Sequence, residues 1–283
     1  MSLCDSKNTK RIKAYPVRTA ELGYGKMTYI DKGTGCAVLS SHGLFGGYDQ
    51  AYELVKNFSQ RYRILAPSRF GYLGSDISGK GEPAEQAKSF KELLDTLGVD
   101  KAFIIGASAG GTAAIRFALD YPERTYGLIL YSSAPPLKEK PAAYSEYIGV
   151  PPFIVNDYAM YLLSPLFRLV LSMPANVIDL MMPIDKRKQG VILDGSLSNP
   201  DMARHFDDYP IERLQVPSLI LHAKNDKTVD YRKTADVIFR FPNCTLISFE
   251  TGGHMLAGHE KEVEKAIDTF IKNTLNITAA AVE

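Results

Sequence analysis

The sequence predicts an α/β fold: a mostly parallel, doubly wound sheet with helices on both faces and an inserted helical lid. Three observations support this prediction. Short apolar runs alternate with helical patterns before residue 134 and again from residue 216. Between these parts, residues 135–210 contain two Pro-Pro pairs, short helical patterns and no convincing strand. A Gly-Ala-Ser-Ala-Gly segment at 106–110 joins an apolar strand to a helix.

Length and composition indicate an ordinary globular protein. The chain has 283 residues, of which 45% are hydrophobic and 23% are charged, and its net charge is +1. This balance gives no reason to expect a nucleic-acid partner or an anionic membrane surface. The three cysteines form no C-x-x-C pair, and the His and Cys residues show no metal-ligand spacing. We therefore expect free thiols in a reducing cytoplasm, no metal and no cofactor.

Neither a secretory signal nor a membrane span is predicted. The first residues lack the apolar core that a signal peptide has. The longest apolar stretch, 153–173, is interrupted by Asp157, Pro165 and Arg168 and makes a poor membrane span. Residues 1–14 are polar and basic, and we expect them to lack regular structure.

The predicted elements follow one another in the order that a wound sheet requires. Strands are predicted at 17–22, 26–31, 36–41, 62–66, 101–105, 127–131, 216–222 and 244–249. Helices are predicted at 48–59, 82–97, 111–119, 231–239 and 260–272. Two core segments, 1–134 and 211–283, thus enclose the lid at 135–210. Ligands of such sheets bind beyond the carboxyl ends of the strands.

The segment 106–110 is typical of a sharp turn that lifts one serine hydroxyl above the end of a parallel sheet. A serine there adopts a strained backbone conformation, and a side chain at Gly106 or Gly110 would collide with a neighbouring strand or helix. Ser108 is therefore the candidate nucleophile. The alternative is a glycine-rich strand-to-helix turn in which the serine is incidental.

Candidate partners for this serine follow other predicted strands. Asp226 and His254 each come just after a strand of the second core segment, and a glycine-rich loop at 42–47 follows the third predicted strand. The order Ser108, Asp226, His254 resembles the α/β-hydrolase superfamily, in which nucleophile, acid and base follow in that chain order. The loop 42–47 is similar to that family's oxyanion loop. Residues 68–75 are similar to its Asp-x-Arg-Gly-x-Gly-x-Ser stretch, with a serine replacing the acid, and the resemblance covers nearly the whole chain.

The resemblance implies a serine hydrolase, and the residue types suit that chemistry. A serine hydroxyl is a poor nucleophile at neutral pH and needs an adjacent base, which His254 can supply because histidine ordinarily titrates near neutrality. Asp226 is expected to fix the tautomer of His254 and to stabilise its charged form. The backbone N–H groups of Leu44 and Ala109 are the candidate oxyanion donors.

Several residues compete with His254 and Asp226. The other histidines of the chain are His42, His205, His222 and His259. We expect His42 to brace the oxyanion loop. Asp230 and Glu250 are alternative acids, although Asp230 is better placed to cap the helix that follows it. The family context favours His254 as the base and Asp226 as the acid.

The resemblance implies hydrolysis of carboxylic esters of small apolar substrates through an acyl-enzyme intermediate. A serine at 108 disfavours the superfamily members that use an aspartate nucleophile, the haloalkane dehalogenases and epoxide hydrolases. A thioester or an amide could replace the ester as the bond that is cleaved. Three further alternatives stay open: a C–C bond hydrolase acting on a vinylogous diketone, a non-catalytic ligand receptor on the same fold, and a scaffold with a decayed site.

The partner is expected to be a small-molecule substrate in an apolar pocket, bound by a monomer or a homodimer. Phe45 in the glycine-rich loop and Phe153, Tyr161 and Met181 in the lid are predicted to line this pocket. Because all the catalytic and oxyanion candidates lie outside 135–210, we expect the lid to set substrate choice and to contribute little to acylation.

Overall fold

Eight strands form one sheet in the computed structural model, which describes residues 3–170 and 175–280 and the side chains of 8–165 and 177–277. The strands are β1 (Val17–Leu22), β2 (Gly25–Lys32), β3 (Ala37–Ser41), β4 (Arg63–Pro67), β5 (Ala102–Ala107), β6 (Thr125–Tyr131), β7 (Ser218–Ala223) and β8 (Cys244–Phe249). Their spatial order is β1-β2-β4-β3-β5-β6-β7-β8. The predicted strands are confirmed, each with its ends within about two residues of the prediction.

The sheet is parallel from β4 through β3, β5, β6 and β7 to β8, and antiparallel where β2 pairs with β1 and β4. Leu39 of β3 lies opposite Leu65 on one side and Ile104 on the other. Because these strands run the same way, the chain segments that follow β3, β5, β7 and β8 meet at one edge of the sheet. All the candidate catalytic residues belong to those segments.

Ten helices accompany the sheet within the described ranges. They are α1 (Leu3–Lys13), α2 (Tyr48–Val55), α3 (Pro83–Thr96), α4 (Gly111–Asp120), α5 (Asp157–Val170), α6 (Ala175–Met181), α7 (Lys188–Leu193), α8 (Asn199–Arg204), α9 (Tyr231–Ala235) and α10 (Glu260–Ala280). The helix predicted at 231–239 is shorter than expected, since α9 is followed by a separate turn, Ile238–Arg240. The last helix is longer than predicted.

Both faces of the sheet are covered. Along β5, Ile104 belongs to an apolar cluster with α3 and α4, whereas Phe103 and Ile105 belong to a cluster with α2 and α10. Neighbouring side chains of a strand point to opposite faces, so this division shows one apolar layer on each side. Burying one such side chain stabilises the fold by roughly 1.5–3 kcal/mol.

The prediction that residues 1–14 lack regular structure is wrong for the described residues, because Leu3–Lys13 forms α1. The helix is polar and basic, and contacts far away in the sequence hold it. Ile12 is buried against the core, and Arg11 donates to Asp49 Oδ2 at 2.8 Å and to Met182 O at 2.8 Å. A local pattern does not reveal such contacts.

The inserted segment between β6 and β7 carries α5 to α8, and its described part contains no strand. Residues 171–174 of the predicted lid lie outside the described residues. One turn of π-helix, Asp194–Ser198, joins α7 to α8. Such turns widen a helix locally and change where the following side chains point.

Candidate active site

Ser108 lies on the turn between β5 and α4 with a φ of 49°. A serine in this left-handed region is strained by about 1–3 kcal/mol and keeps the conformation only where its surroundings hold it. A Cβ at Gly106 would come within 2.6 Å of Gly111 Cα, and one at Gly110 within 2.3 Å of Ser41 O. The turn therefore tolerates no side chain at either glycine, as the sequence predicts.

His254 comes next to this serine. It sits on a single helical turn, Gly253–Met255, that follows β8, and its Nε2 lies 2.9 Å from Ser108 Oγ. The Gly253 N–H donates to Asn225 Oδ1 at 2.8 Å, and the Tyr131 hydroxyl donates to the Met255 carbonyl at 2.6 Å. The turn that bears the imidazole is thus tied to two neighbouring parts of the sheet edge.

Asp226 completes the series. Its Oδ2 accepts from His254 Nδ1 at 2.8 Å, and its Oδ1 accepts from the backbone N–H groups of Thr228 and Val229 at 2.7 and 3.0 Å. Because a carboxylate only accepts, the proton of His254 is on Nδ1, which leaves Nε2 to accept from the Ser108 hydroxyl.

The Asp226 carboxyl is held in its charged form. Burial by itself raises its pKa, but the hydrogen bonds from His222 and His254 outweigh burial and hold the pKa well below its usual range. A permanent negative charge behind the imidazole stabilises the protonated ring that forms when His254 takes a proton.

His222 is a residue of the site that the sequence analysis did not assign. Its Nε2 lies 3.1 Å from Asp226 Oδ2, and its Nδ1 lies 2.9 Å from Thr234 Oγ1. The hydroxyl of Thr234 can donate to Nδ1, which leaves the ring proton on Nε2, facing the carboxylate. The signal available in the sequence was a histidine at a strand end, four residues before the candidate acid.

The other competitors lie elsewhere. His205 Nδ1 is 2.8 Å from Asp201 Oδ1, and His259 Nδ1 is 3.0 Å from Glu262 Oε2. The side chain of Glu250 is 79% exposed and pairs with a surface lysine. As predicted, Asp230 caps α9, because its side chain accepts the N–H of Arg232.

The glycine-rich loop at 42–47 lies against the nucleophile. The Gly46 N–H donates to Gly43 O at 3.2 Å, so residues 43–46 form a tight turn with Leu44 and Phe45 at its centre. A Cβ on Gly43 would lie 3.1 Å from Ser108 Cβ. The second candidate donor, Ala109, stands in the first helical turn after the serine, where N–H groups lack helical partners.

His42 braces this loop, as the sequence predicts. Its Nε2 accepts the backbone N–H of Arg69 at 2.9 Å, so its Nδ1 donates to Gly43 O at 2.8 Å. Burial lowers the pKa of His42 well below its usual value, and the positive charge of Arg69 lowers it further. The ring is therefore neutral and acts as a fixed link between Arg69 and the loop.

An apolar cluster connects the inserted segment to the catalytic edge. It consists of Phe45, Tyr72, Val155, Met160, Val177, Met181, Ile184 and Val191, with Leu44 and Met255 packed against it. Two of the predicted pocket residues, Phe45 and Met181, belong to it and are 7% and 6% exposed. The other two, Phe153 and Tyr161, are 81% and 68% exposed. Their part in a pocket stays a prediction.

Two further features concern possible partners of the chain. In the described ranges, no group of three or more His, Cys, Asp or Glu side chains is arranged to hold a metal ion. Among the helices of residues 3–170 and 175–280, none combines the length and apolarity needed to cross a bilayer.

Comparison with known proteins agrees with this fold. A family model described as alpha/beta hydrolase fold matches residues 37–161. The chain is 26% identical over 251 residues to 2-hydroxy-6-oxo-6-phenylhexa-2,4-dienoate hydrolase of Burkholderia cepacia, a match that covers 79% of this chain and 83% of that protein. It is 38% identical over 106 residues to a 2-hydroxy-6-oxononadienedioate/2-hydroxy-6-oxononatrienedioate hydrolase of Comamonas testosteroni, covering 35% of this chain and 37% of that one.

A solved structure shares the fold. The crystal structure of the esterase RhEst1 from Rhodococcus sp. ECU1013 superposes with a TM-score of 0.70 at 19% identity, and the match covers 90% of this chain and 98% of that one. Family model, relatives and shared architecture agree, and the chain belongs to the α/β-hydrolase superfamily and is a hydrolase.

Proposed function

We propose that the protein is a serine hydrolase that cleaves carboxylic esters of small apolar substrates through an acyl-enzyme intermediate. The observation that carries the proposal is the hydrogen-bonded series Ser108, His254 and Asp226, with contacts of 2.9 and 2.8 Å. This is the arrangement that activates a serine hydroxyl, with a base beside it and an acid behind the base.

Each group has a role in acylation. Ser108 Oγ attacks the ester carbonyl carbon while His254 Nε2 takes the hydroxyl proton. The N–H groups of Leu44 and Ala109 stabilise the negative charge that develops on the carbonyl oxygen. His254 then gives its proton to the leaving oxygen, so that an alcohol departs and the acyl group stays on Ser108.

Deacylation repeats these steps with water in place of the serine. His254 takes a proton from a water molecule, and the water oxygen attacks the acyl carbon. The tetrahedral intermediate collapses with return of the proton to Ser108 Oγ, which releases the carboxylic acid and regenerates the enzyme. Asp226 orients the imidazole in both halves of the cycle.

The substrate class follows from the surroundings of the oxyanion loop. The apolar cluster described above includes Leu44 and Met255, which adjoin the oxyanion site and the base. The guanidinium groups of Arg69 and Arg187 also contact the loop, but each is already paired with a carboxylate, Asp194 or Asp49. Such a setting favours a neutral, apolar acyl group over an anionic one.

A C–C bond hydrolase is the second candidate, and the curated relatives favour it. The Burkholderia cepacia protein is named for a dienoate substrate, which carries a carboxylate beside its diketone system. In this chain, the pairing of Arg69 and Arg187 with Asp194 and Asp49 speaks against binding of that carboxylate. We therefore place ester hydrolysis first.

The organisation of the chain is part of the proposal. We propose a catalytic core of residues 1–134 and 211–283 and a lid of residues 135–210. We also propose that the protein acts in the cytoplasm on a small-molecule substrate as a monomer or a homodimer.

The experiment compares two substrates with one protein. We expect kcat/KM for 4-nitrophenyl esters of short fatty acids to exceed kcat/KM for a vinylogous 1,5-diketone carboxylate, and Ser108→Ala to abolish both activities. A preference for the diketone would replace the ester proposal by the C–C hydrolase. Activity that persists in Ser108→Ala would contradict a mechanism in which Ser108 is the nucleophile.

A further inference from the structure

We propose that Arg187 and Asp194, both in the inserted segment 135–210, are positioning residues that hold the oxyanion loop in its working conformation. The inference rests on the proposed function, in which the Leu44 N–H stabilises the oxyanion. It gives the lid a part in acylation, whereas the sequence analysis expects the lid to set substrate choice and to contribute little to acylation.

The oxyanion loop needs support from outside. Phe45, at the centre of the 43–46 turn, has a φ of 59°, which residues with a side chain rarely adopt. A strained turn of this kind keeps its geometry only when contacts with the surrounding structure hold it in place. The position of the Leu44 N–H depends on the two ends of the turn, the carbonyl groups of Gly43 and Gly46.

Arg187 holds the Gly46 end. Its Nη1 donates to Gly46 O at 2.5 Å and to Asp49 Oδ1 at 3.0 Å, and its Nη2 donates to Asp49 Oδ2 at 2.8 Å. Both charged side chains are fully buried. A two-pronged ion pair of this kind fixes the plane of the guanidinium as well as its position, so the bond to Gly46 is held in one direction.

Asp194 holds the Gly43 end through Arg69. Arg69 Nη1 and Nη2 donate to Asp194 Oδ1 and Oδ2 at 2.5 and 2.6 Å. The same guanidinium donates from Nη2 to Gly43 O at 3.3 Å and from Nε to His42 O at 2.9 Å. The Tyr72 hydroxyl adds a bond to Asp194 Oδ2 at 2.6 Å. Asp194, from the inserted segment, thus orients the Arg69 guanidinium that donates to the first residues of the loop.

Both ends of the loop therefore depend on charges that the inserted segment supplies. A shift of that segment away from the core would separate Arg187 from Asp49 and Asp194 from Arg69. Buried charges without partners are strongly unfavourable, so the segment and the loop are expected to move together. The Leu44 N–H is in position only while the inserted segment is packed against the core.

The test removes Arg187 together with its carboxylate partner, Asp49. Arg11, the second partner of Asp49, is 23% exposed and keeps its hydrogen bond to Met182 O at 2.8 Å. In the double variant Arg187→Met, Asp49→Leu, apolar side chains replace the ion pair, an exchange that often leaves stability unchanged. We expect cooperative thermal unfolding close to that of the wild type. We also expect kcat and the rate of Ser108 labelling by a small fluorophosphonate to fall at least about 10-fold, towards the roughly 10²–10³-fold loss seen when an oxyanion donor is removed. KM should change by less than about threefold, because ground-state binding is not the target.

The control removes another ion pair of the same segment, in which Arg204 is 18% and Glu146 77% exposed. Arg204 Nη2 lies 2.8 Å from Glu146 Oε2, so the double variant Arg204→Met, Glu146→Leu loses the same chemical groups away from the loop. Its kcat and labelling rate should equal those of the wild type. The conservative variant Arg187→Lys keeps the charge but loses the two-pronged geometry, and we expect an intermediate labelling rate.

Two results separate this inference from the function on which it rests. A folded Arg187→Met, Asp49→Leu variant with the labelling rate and kcat of the wild type overturns the inference alone. If that variant does not fold, Arg187→Lys decides, and a wild-type labelling rate there overturns the inference as well. A wild-type protein that the fluorophosphonate does not label at Ser108 contradicts the proposed function instead.

Discussion

His222 Nε2 lies 3.1 Å from Asp226 Oδ2, the same oxygen that lies 2.8 Å from His254 Nδ1. The carboxylate thus serves two imidazoles at once, one beside the serine and one fully buried behind it. Thr234 fixes the tautomer of His222 from the other side of its ring, at 2.9 Å. A hydrogen-bond donor at Oδ2 stabilises part of the negative charge of the carboxylate. His222 therefore weakens the electrostatic attraction between Asp226 and a protonated His254.

Removal of His222 should change the pH dependence of the rate. In His222→Leu, Asp226 loses a donor and attracts the protonated His254 ring more strongly, so we expect the acid limb of kcat/KM to move to higher pH. Losing a hydrogen bond to a charged group typically costs about 1.5–3 kcal/mol of stability, so we expect the free energy of unfolding to fall by about this amount. His222→Gln retains an N–H donor and should recover most of the loss. Identical pH profiles for all three proteins would show that His222 is only a packing residue.

Ser108 should be the residue that reacts covalently. After treatment with a small fluorophosphonate, intact-mass spectrometry should show one adduct, and peptide mapping should place it on Ser108. Ser108→Ala should take up no label, whereas Ser78→Ala, at an exposed position, should be labelled as the wild type is. Persistent labelling of Ser108→Ala would mean that another residue is the nucleophile.

Asp226 should be the acid of the series. Asp226→Asn keeps the shape of the side chain but presents an amide N–H or a neutral oxygen to His254, and we expect kcat to fall by about 10⁴. Glu250→Gln is the matched control, because Glu250 pairs with Lys224 at the surface and should be dispensable. Near-normal activity of Asp226→Asn with loss in Glu250→Gln would reverse the assignment.

The sequence predicts the sheet and the candidate triad because both depend on local patterns. Each strand is an apolar run, and Ser108, Asp226 and His254 each follow a strand whose end lies at the same edge of the sheet. The support of the oxyanion loop has no such local pattern. Arg69 lies 125 residues from Asp194 in the chain, and Arg187 lies 138 residues from Asp49. Only the packing of the inserted segment onto the core brings these charges together.

Whether a residue of the inserted segment lines the pocket depends on the direction in which its side chain points. The composition of the segment does not give this direction. Met181 and Phe153 are both large apolar residues of the inserted segment, yet one is buried in the same apolar cluster as Phe45 and the other is exposed. α1 was missed for a related reason, since its buried Ile12 and the ion pair of Arg11 with Asp49 are tertiary contacts. Helices of low apolar content form when such contacts compensate for weak local preference.

His42 should make the fold less stable as the pH falls. In the unfolded chain histidine takes up a proton near pH 6.5, whereas burial and then the charge of Arg69 lower the pKa of His42 in the folded protein. Unfolding below about pH 6.5 therefore binds a proton, and the free energy of unfolding should fall on acidification by up to about 1.4 kcal/mol per pH unit. Urea unfolding between pH 7.5 and 5.5 measures this slope. In His42→Gln the slope should be smaller by that amount, and equal slopes would contradict a neutral, buried imidazole.

Met181 should set the preferred length of the acyl group, and Phe153 should not. Met181 is buried in the same apolar cluster as Phe45, so Met181→Ala opens room for a longer chain. Each extra buried methylene contributes about 0.8 kcal/mol, or roughly fourfold in kcat/KM. Over a series of 4-nitrophenyl esters, the optimum should move to longer acyl groups in Met181→Ala and stay unchanged in Phe153→Ala, whose side chain is exposed. Labelling of Ser108 by a small fluorophosphonate should be the same in both. A shift in Phe153→Ala alone would place the acyl site elsewhere in the inserted segment.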